Sequence, residues 1–256
     1  MTPLRTLSLS ELSIEDEGSF RHVGIYRELK QAMLARGMRF LIPNEGSGVE
    51  SYESVLLLNL AFWSPDEAAE VLVDDRLTAD QLAHNAWHRL AHVALGEHAR
   101  TAEGLLLAEC VASAFDVYAV GRLVGHAVES DFLETQVPAM RDAAEAAGLS
   151  QASFEALLGR MVENPERAFE DLRQLLFDTT SALVAAPTVE RAAEILAANS
   201  KHPMAPLLHH YELPTWVLYA RAYGTSQGPC EAVRAIDREL RAAVDPIAWL
   251  ETHWIG

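Results

Sequence analysis

The stretch that decides the reading is 78-TADQLAHNAWHRLAHVALGEHARTAEGLLLAECVASAFDVYAVGRLVG-125. It carries His84, His88 and His92 at strict four-residue spacing, then Glu109 and Asp116 further on. Residues four apart stand one turn above each other on a helix face. Two such histidines can grip one metal ion, and a carboxylate from the next helix can complete the set. Thr78 followed by Gln81 suits a helix start of the capping-box type, and Gly96 a helix end near Leu95. The segment from Ala102 to Val128 then reads as one long helix. Its apolar positions include Leu105, Leu106, Ala112, Phe115, Tyr118 and Leu123.

Working outward, Phe20 to Arg36 has a helical apolar stripe ended by Gly37, and Met38 to Ile42 suits a strand closed by Pro43. Ser54 to Trp63 (SVLLLNLAFW) is the most apolar run. It fits a buried strand; Leu and Ala also favour a helix, and periodicity is silent there. Asp66 to Val73 reads as one or two helical turns. Toward the C-terminus the pattern is helical at 131–147, 151–161, 165–184, 188–199, about 205–222 and 228–242. The expected fold is α+β and mainly α: a small N-terminal β element followed by a helical body. Residues 1–19 form a lead-in, 20–128 a metal-binding region and 129–256 a helical C-terminal region.

Twenty Lys+Arg stand against 37 Asp+Glu, a formal charge of −17. Binding a polyanion requires clustered positive charge, so a nucleic-acid partner is not expected. The two cysteines, Cys110 and Cys230, make no CxxC motif or disulfide framework. Cys110 lies in an apolar helical pattern and is expected in the core. The first twenty residues are polar and acidic, unlike a signal peptide. No unbroken apolar run reaches the ~18 residues that suggest a membrane span. A cytoplasmic protein without a membrane partner is the expectation.

The segment His88-Arg-Leu-Ala-His92 has the frame of the zincin signature HExxH, in which two histidines bind zinc and the glutamate between them activates water. Glu109, within AECVASAFD, resembles the third ligand of the gluzincin branch, with Asp116 as the acid that supports a ligand histidine. The resemblance covers about residues 20–125. It implies a zinc ion on His88, His92 and Glu109, and a peptide or small-molecule substrate. The departure is Arg89, which stands at the place of the catalytic glutamate and cannot accept a proton at neutral pH. The resemblance therefore implies a non-standard metallohydrolase or an inactive relative. His84 can join the site from one turn earlier, and Glu97 or His98 can supply a base.

Two other classes fit the residues. A helical body with inward Glu and His can hold iron, as in heme-oxygenase-like oxidases, with Glu103, His126, His209 and His210 as further candidates. A non-enzymatic accessory protein makes the histidines incidental. The aromatic run Tyr211, Trp216, Tyr219 and Tyr223 suits helix packing or a pocket lining. No GxSxG elbow, phosphate loop or dinucleotide fingerprint is present.

Overall fold

The computed structural model describes residues 4–49, 51–62, 69–126 and 129–256. The chain divides into two compact units, Met1–Arg89 and Leu90–Gly256. The division falls inside one continuous helix.

In the first unit, β1 (Leu4–Ser8) pairs antiparallel with β3 (Arg39–Pro43), and β3 pairs parallel with β4 (Ala69–Val71). Between β1 and β3 lie β2 (Ser13–Glu15), the short α1 (Glu17–Phe20) and α2 (Tyr26–Ala35). The lead-in read from the sequence thus contains two strands, and β1 is an integral edge of the sheet. Parallel strands need a crossover, and the link between β3 and β4 contains α3 (Tyr52–Phe62). The apolar run at 54–63 is therefore helical through Phe62, the outcome its Leu and Ala content allowed and its missing period could not decide. Where helical turns were expected at 66–73, residues 69–71 are strand β4; residues 63–68 lie outside the described residues.

Asn59 of α3 fixes β4. Its Nδ2 donates to the Val71 carbonyl at 2.9 Å, and its Oδ1 accepts the Val71 N–H at 2.8 Å. The outward-facing backbone of Val71 is thereby satisfied by a side-chain amide, with no further strand beside β4 among the described residues. A second, two-stranded sheet joins β2 to β5 (Arg76–Thr78) in parallel. β5 leads directly into α4 (Ala79–Leu95).

In the second unit, a 3-10 turn over Gly96–Arg100 leads into α5 (Ala102–Val124). Thr101 caps α5 by accepting the Gly104 N–H at 3.0 Å. α5 is the central helix, and Leu106, Leu107, Cys110, Val111, Ala114, Val117, Val120 and Leu123 are all buried. It is long and apolar enough to cross a membrane by length and composition, although its sequence has no unbroken apolar run of ~18 residues; here 78% of that window is buried within the protein. Around it come α6 (Asp131–Ala146), α7 (Gln151–Glu163) and α8 (Pro165–Ala185). α9 (Val189–Asn199) packs on α8, and α10 (Leu213–Tyr223) packs on both α5 and α8. The chain closes with α11 (Glu231–Ala242) and α12 (Pro246–Leu250). Gly121 allows the close approach on α5: a Cβ there would lie 2.3 Å from the Met161 carbonyl oxygen. The α+β, mainly helical class expected from the sequence is the one observed.

The core of this unit contains a charge network. Arg173, fully buried, donates to both oxygens of Glu170 at 2.8 and 2.7 Å. Its Nη1 lies 2.8 Å from Asp237 Oδ1, and Arg241 reaches the other Asp237 oxygen at 2.8 Å and Asp178 at 2.6 Å.

Candidate metal centre

α4 is set by its apolar face. Ala79, Leu82, Ala83, Ala86, Trp87, Leu90 and Ala91 are all inaccessible to solvent. Burying each leucine contributes about 1.5–3 kcal/mol, so the helix is strongly held in one rotational setting. At the start of the helix, the Thr78 N–H donates to the Gln81 side-chain oxygen at 3.2 Å, one half of the expected capping box. Gly96, with φ of +54°, ends the helix in the left-handed conformation that glycine adopts without penalty. His84 and His88 then fall on the border of the buried face, half-buried, one turn apart.

Their rings converge. The two Nε2 atoms are 3.1 Å apart, with ring centroids at 4.8 Å and planes tilted by 58°. Nitrogen ligands at ~2.0–2.1 Å on a tetrahedral zinc ion are separated by about 3.3 Å. The pair therefore has the spacing of two ligands on one ion. Without an ion the two nitrogens can share a proton, one ring donating and the other accepting.

A carboxylate oxygen of Glu109, on α5, completes the group: one ligand atom from each of His84, His88 and Glu109 lies within 4.8 Å of the others. All three residues are half-buried. Ser113, one turn along α5, donates its hydroxyl to Glu109 Oε1 at 3.2 Å. That bond restricts the carboxylate rotamer, as outer-sphere partners of ligands do. The His84/His88/Glu109 cluster can hold a divalent metal ion.

This grouping differs from the His88, His92 and Glu109 set read from the sequence. His92, one turn beyond His88, is not brought into the group among the described residues. With His84 as the first ligand, the position that follows it in the signature is Asn85 rather than Arg89. An amide cannot take up a proton either. Arg89 is half-buried on the far side of His88 in sequence and stands outside the cluster.

Asp116 lies on α5 with Tyr211 within its electrostatic reach: burial, reinforced by the Asp116 charge, raises the Tyr211 phenol well above its ordinary value. Tyr219 stands close enough to Glu109 to feel its charge. Burial, the neighbouring Tyr223 and Glu109 push its phenol up to about 12, although Arg100 opposes this, so it remains protonated at neutral pH. Glu97 and His98 form a loose pair at 3.8 Å, with Glu97 largely exposed, on the 3-10 turn after α4.

The other candidates are engaged elsewhere. Glu103 pairs with Arg234 at 2.7 Å and accepts the Cys230 N–H at 2.7 Å. His210 Nε2 lies 3.2 Å from Gln136 Oε1. Neither they nor His126 or His209 join a metal-ligand group among the described residues. Cys110 is a core residue as expected, its thiol pushed well up by burial.

Glu70 and Asn85 went unread in the sequence. Burial raises the Glu70 carboxyl above the usual range, while a hydrogen bond from Asn85 and the nearby His88 oppose the shift. Asn85 had a signal, since it follows a histidine in an H-x-x-x-H pair. Glu70 had none, being far away in sequence on a strand that was read as helix.

No family model, no curated protein and no solved structure matches the chain.

Proposed function

We propose that the protein is a zinc protein with a zincin-like single-ion centre on His84, His88 and Glu109, and that it acts as a non-standard metallohydrolase on a peptide or small molecule. The observation that carries this reading is the 3.1 Å convergence of the two histidine Nε2 atoms with a helix-borne carboxylate beside them. Two imidazoles and one carboxylate form a ligand set that suits zinc and leaves a fourth position for water or substrate. A zinc ion held there supplies Lewis acidity toward a carbonyl oxygen and lowers the pKa of bound water.

The chain's own residues do the rest. His84 and His88 present their Nε2 atoms from a helix whose rotation is fixed by its buried face. Glu109 contributes negative charge and is steadied by Ser113. Tyr219, within electrostatic reach of Glu109, keeps its phenol proton at neutral pH. The half-buried setting lowers the local dielectric, which strengthens each of these interactions.

The iron-oxidase reading has less behind it, because Glu103 is already paired with Arg234. The test is cobalt substitution. Stripped protein titrated with Co²⁺ should bind one ion per chain with visible bands of four-coordinate intensity. Those bands should vanish in His84→Ala and in His88→Ala. Two ions per chain, or six-coordinate bands of low intensity, would contradict the proposal.

A further inference from the structure

The Glu70 carboxylate stands within electrostatic reach of His88 with one of its two oxygens unmet. Its Oε2 is shielded from solvent and has no hydrogen-bond partner among the described residues. Its interactions run to Asn85 and His88 on α4, so the Asn85 contact falls to the other oxygen. Buried carboxylates are paired or ligating as a rule, because desolvating an unpaired one costs several kcal/mol. An unsatisfied buried oxygen thus calls for a specific explanation.

The backbone that carries Glu70 is not loose. β4 pairs with β3, Glu70 lying opposite Phe40, and the next residue, Val71, is held on both backbone groups by Asn59. Side chains alternate along a strand, so Val71, buried, and Glu70 point to opposite faces. The face that Glu70 occupies is the one that meets Asn85 and His88. The carboxylate is therefore aimed by a clamped strand at the two-histidine stretch of α4, while the residue after His84 offers only an amide.

We propose that Glu70 holds a water molecule on the ion bound at His84 and His88, its Oε2 accepting the water's hydrogen bond while its other oxygen keeps the contact with Asn85. The inference rests on the ion site proposed above. It assigns to a strand residue the carboxylate that the helix lacks at Asn85. A dication and its water supply the missing partner for Oε2, and the carboxylate in turn orients the water toward a substrate in the open position. Glu70 is a positioning residue for the ion, acting through the water.

The test uses the full chain, stripped of metal and titrated with Zn²⁺ against a chromophoric chelator, with folding checked by circular dichroism. In Glu70→Gln, Zn²⁺ affinity should fall by ~10–100-fold with stoichiometry unchanged, the range for loss of an outer-sphere partner. The exchanged chain, Glu70→Gln with Asn85→Glu, returns a carboxylate to the same contact from the helix side. Its affinity should recover to within a few-fold of wild type. Unchanged affinity in Glu70→Gln overturns the proposal, as does a loss that the folded double variant does not recover. Complete loss of binding with altered Co²⁺ bands in Glu70→Gln also overturns it, since Glu70 would then be a direct ligand. A wild-type chain that binds no ion would remove the centre itself, a failure distinct from one confined to Glu70.

Discussion

Two buried acidic clusters in this protein are built in opposite ways. In the helical unit, Glu170 and Asp237 close around Arg173, and the carboxylate oxygens meet a guanidinium, with Gln174 adding a donor to Glu170. In the N-terminal unit, Glu70 stands beside Asn85 and His88 with one shielded oxygen unmet. The first cluster finds its counter-charges within the chain, Arg173 Nη1 and Asp237 Oδ1 meeting at 2.8 Å as an ion pair and not as an aligned hydrogen bond, and its work is to hold α8 and α11 together. The second is incomplete, and what it lacks is positive charge beside two converging imidazoles. A closed network marks structure, and an open one marks a ligand.

The comparison can be broken by mutation. The largest effect is expected at the closed cluster. Arg173→Met leaves Glu170 buried without its cation and Asp237 with Arg241 alone, and should cost about 3–5 kcal/mol in denaturant unfolding. Metal affinity of the folded fraction should stay unchanged. A loss under about 1 kcal/mol would mean that water reaches the network and that the contrast is false.

At the open cluster the pattern should reverse. His88→Ala should abolish tight Zn²⁺ binding while leaving metal-free stability within about 1 kcal/mol of wild type, since a half-buried side chain is removed. A drop comparable to that of Arg173→Met would show that the histidines are packing residues. Ser113→Ala should have a smaller effect, weakening Zn²⁺ about tenfold through a freer Glu109 rotamer. Equal affinities would remove Ser113 from the site.

The smallest effect is expected at Tyr211, whose hydroxyl is buried without a hydrogen-bond partner among the described residues. Tyr211→Phe should be neutral, or stabilising by ~1 kcal/mol, at pH 7. Its pH dependence has a definite sign. The folded phenol is raised above the ordinary value of 10.0, so above that pH the unfolded chain loses the proton while the folded chain keeps it. The unfolded state then binds fewer protons, and stability falls as pH rises past 10. Thermal melts at pH 8 and pH 11 should show a smaller alkaline loss in the Phe variant than in wild type. An identical loss in both would assign the slope to other groups.

Much of the fold was legible because its signals are local. Gly37 and Gly96 end α2 and α4 at positive φ, and the 3.6-residue period of the C-terminal helices survives in the apolar positions. β4 was not legible, because a three-residue strand clamped by Asn59 has no pattern of its own. The apolar run of α3 was ambiguous, because a nearly unbroken apolar run carries no period to separate helix from strand. For the candidate group, the sequence singled out α4, α5, His88 and Glu109, from which the His84/His88/Glu109 cluster is drawn. It could not choose between His84/His88 and His88/His92, since both pairs are four apart and only the position of Glu109 in space separates them. Glu70 reaches the site through sheet pairing, which leaves no trace at that spacing.

The most direct measurement is Zn²⁺ binding by isothermal calorimetry to stripped wild type, His84→Ala, His92→Ala and Glu109→Ala. The account predicts one ion per chain in wild type, no tight binding in His84→Ala or Glu109→Ala, and binding close to wild type in His92→Ala. Retention in His84→Ala with loss in His92→Ala would shift the centre one turn along α4. No binding in any of the four would contradict the centre altogether.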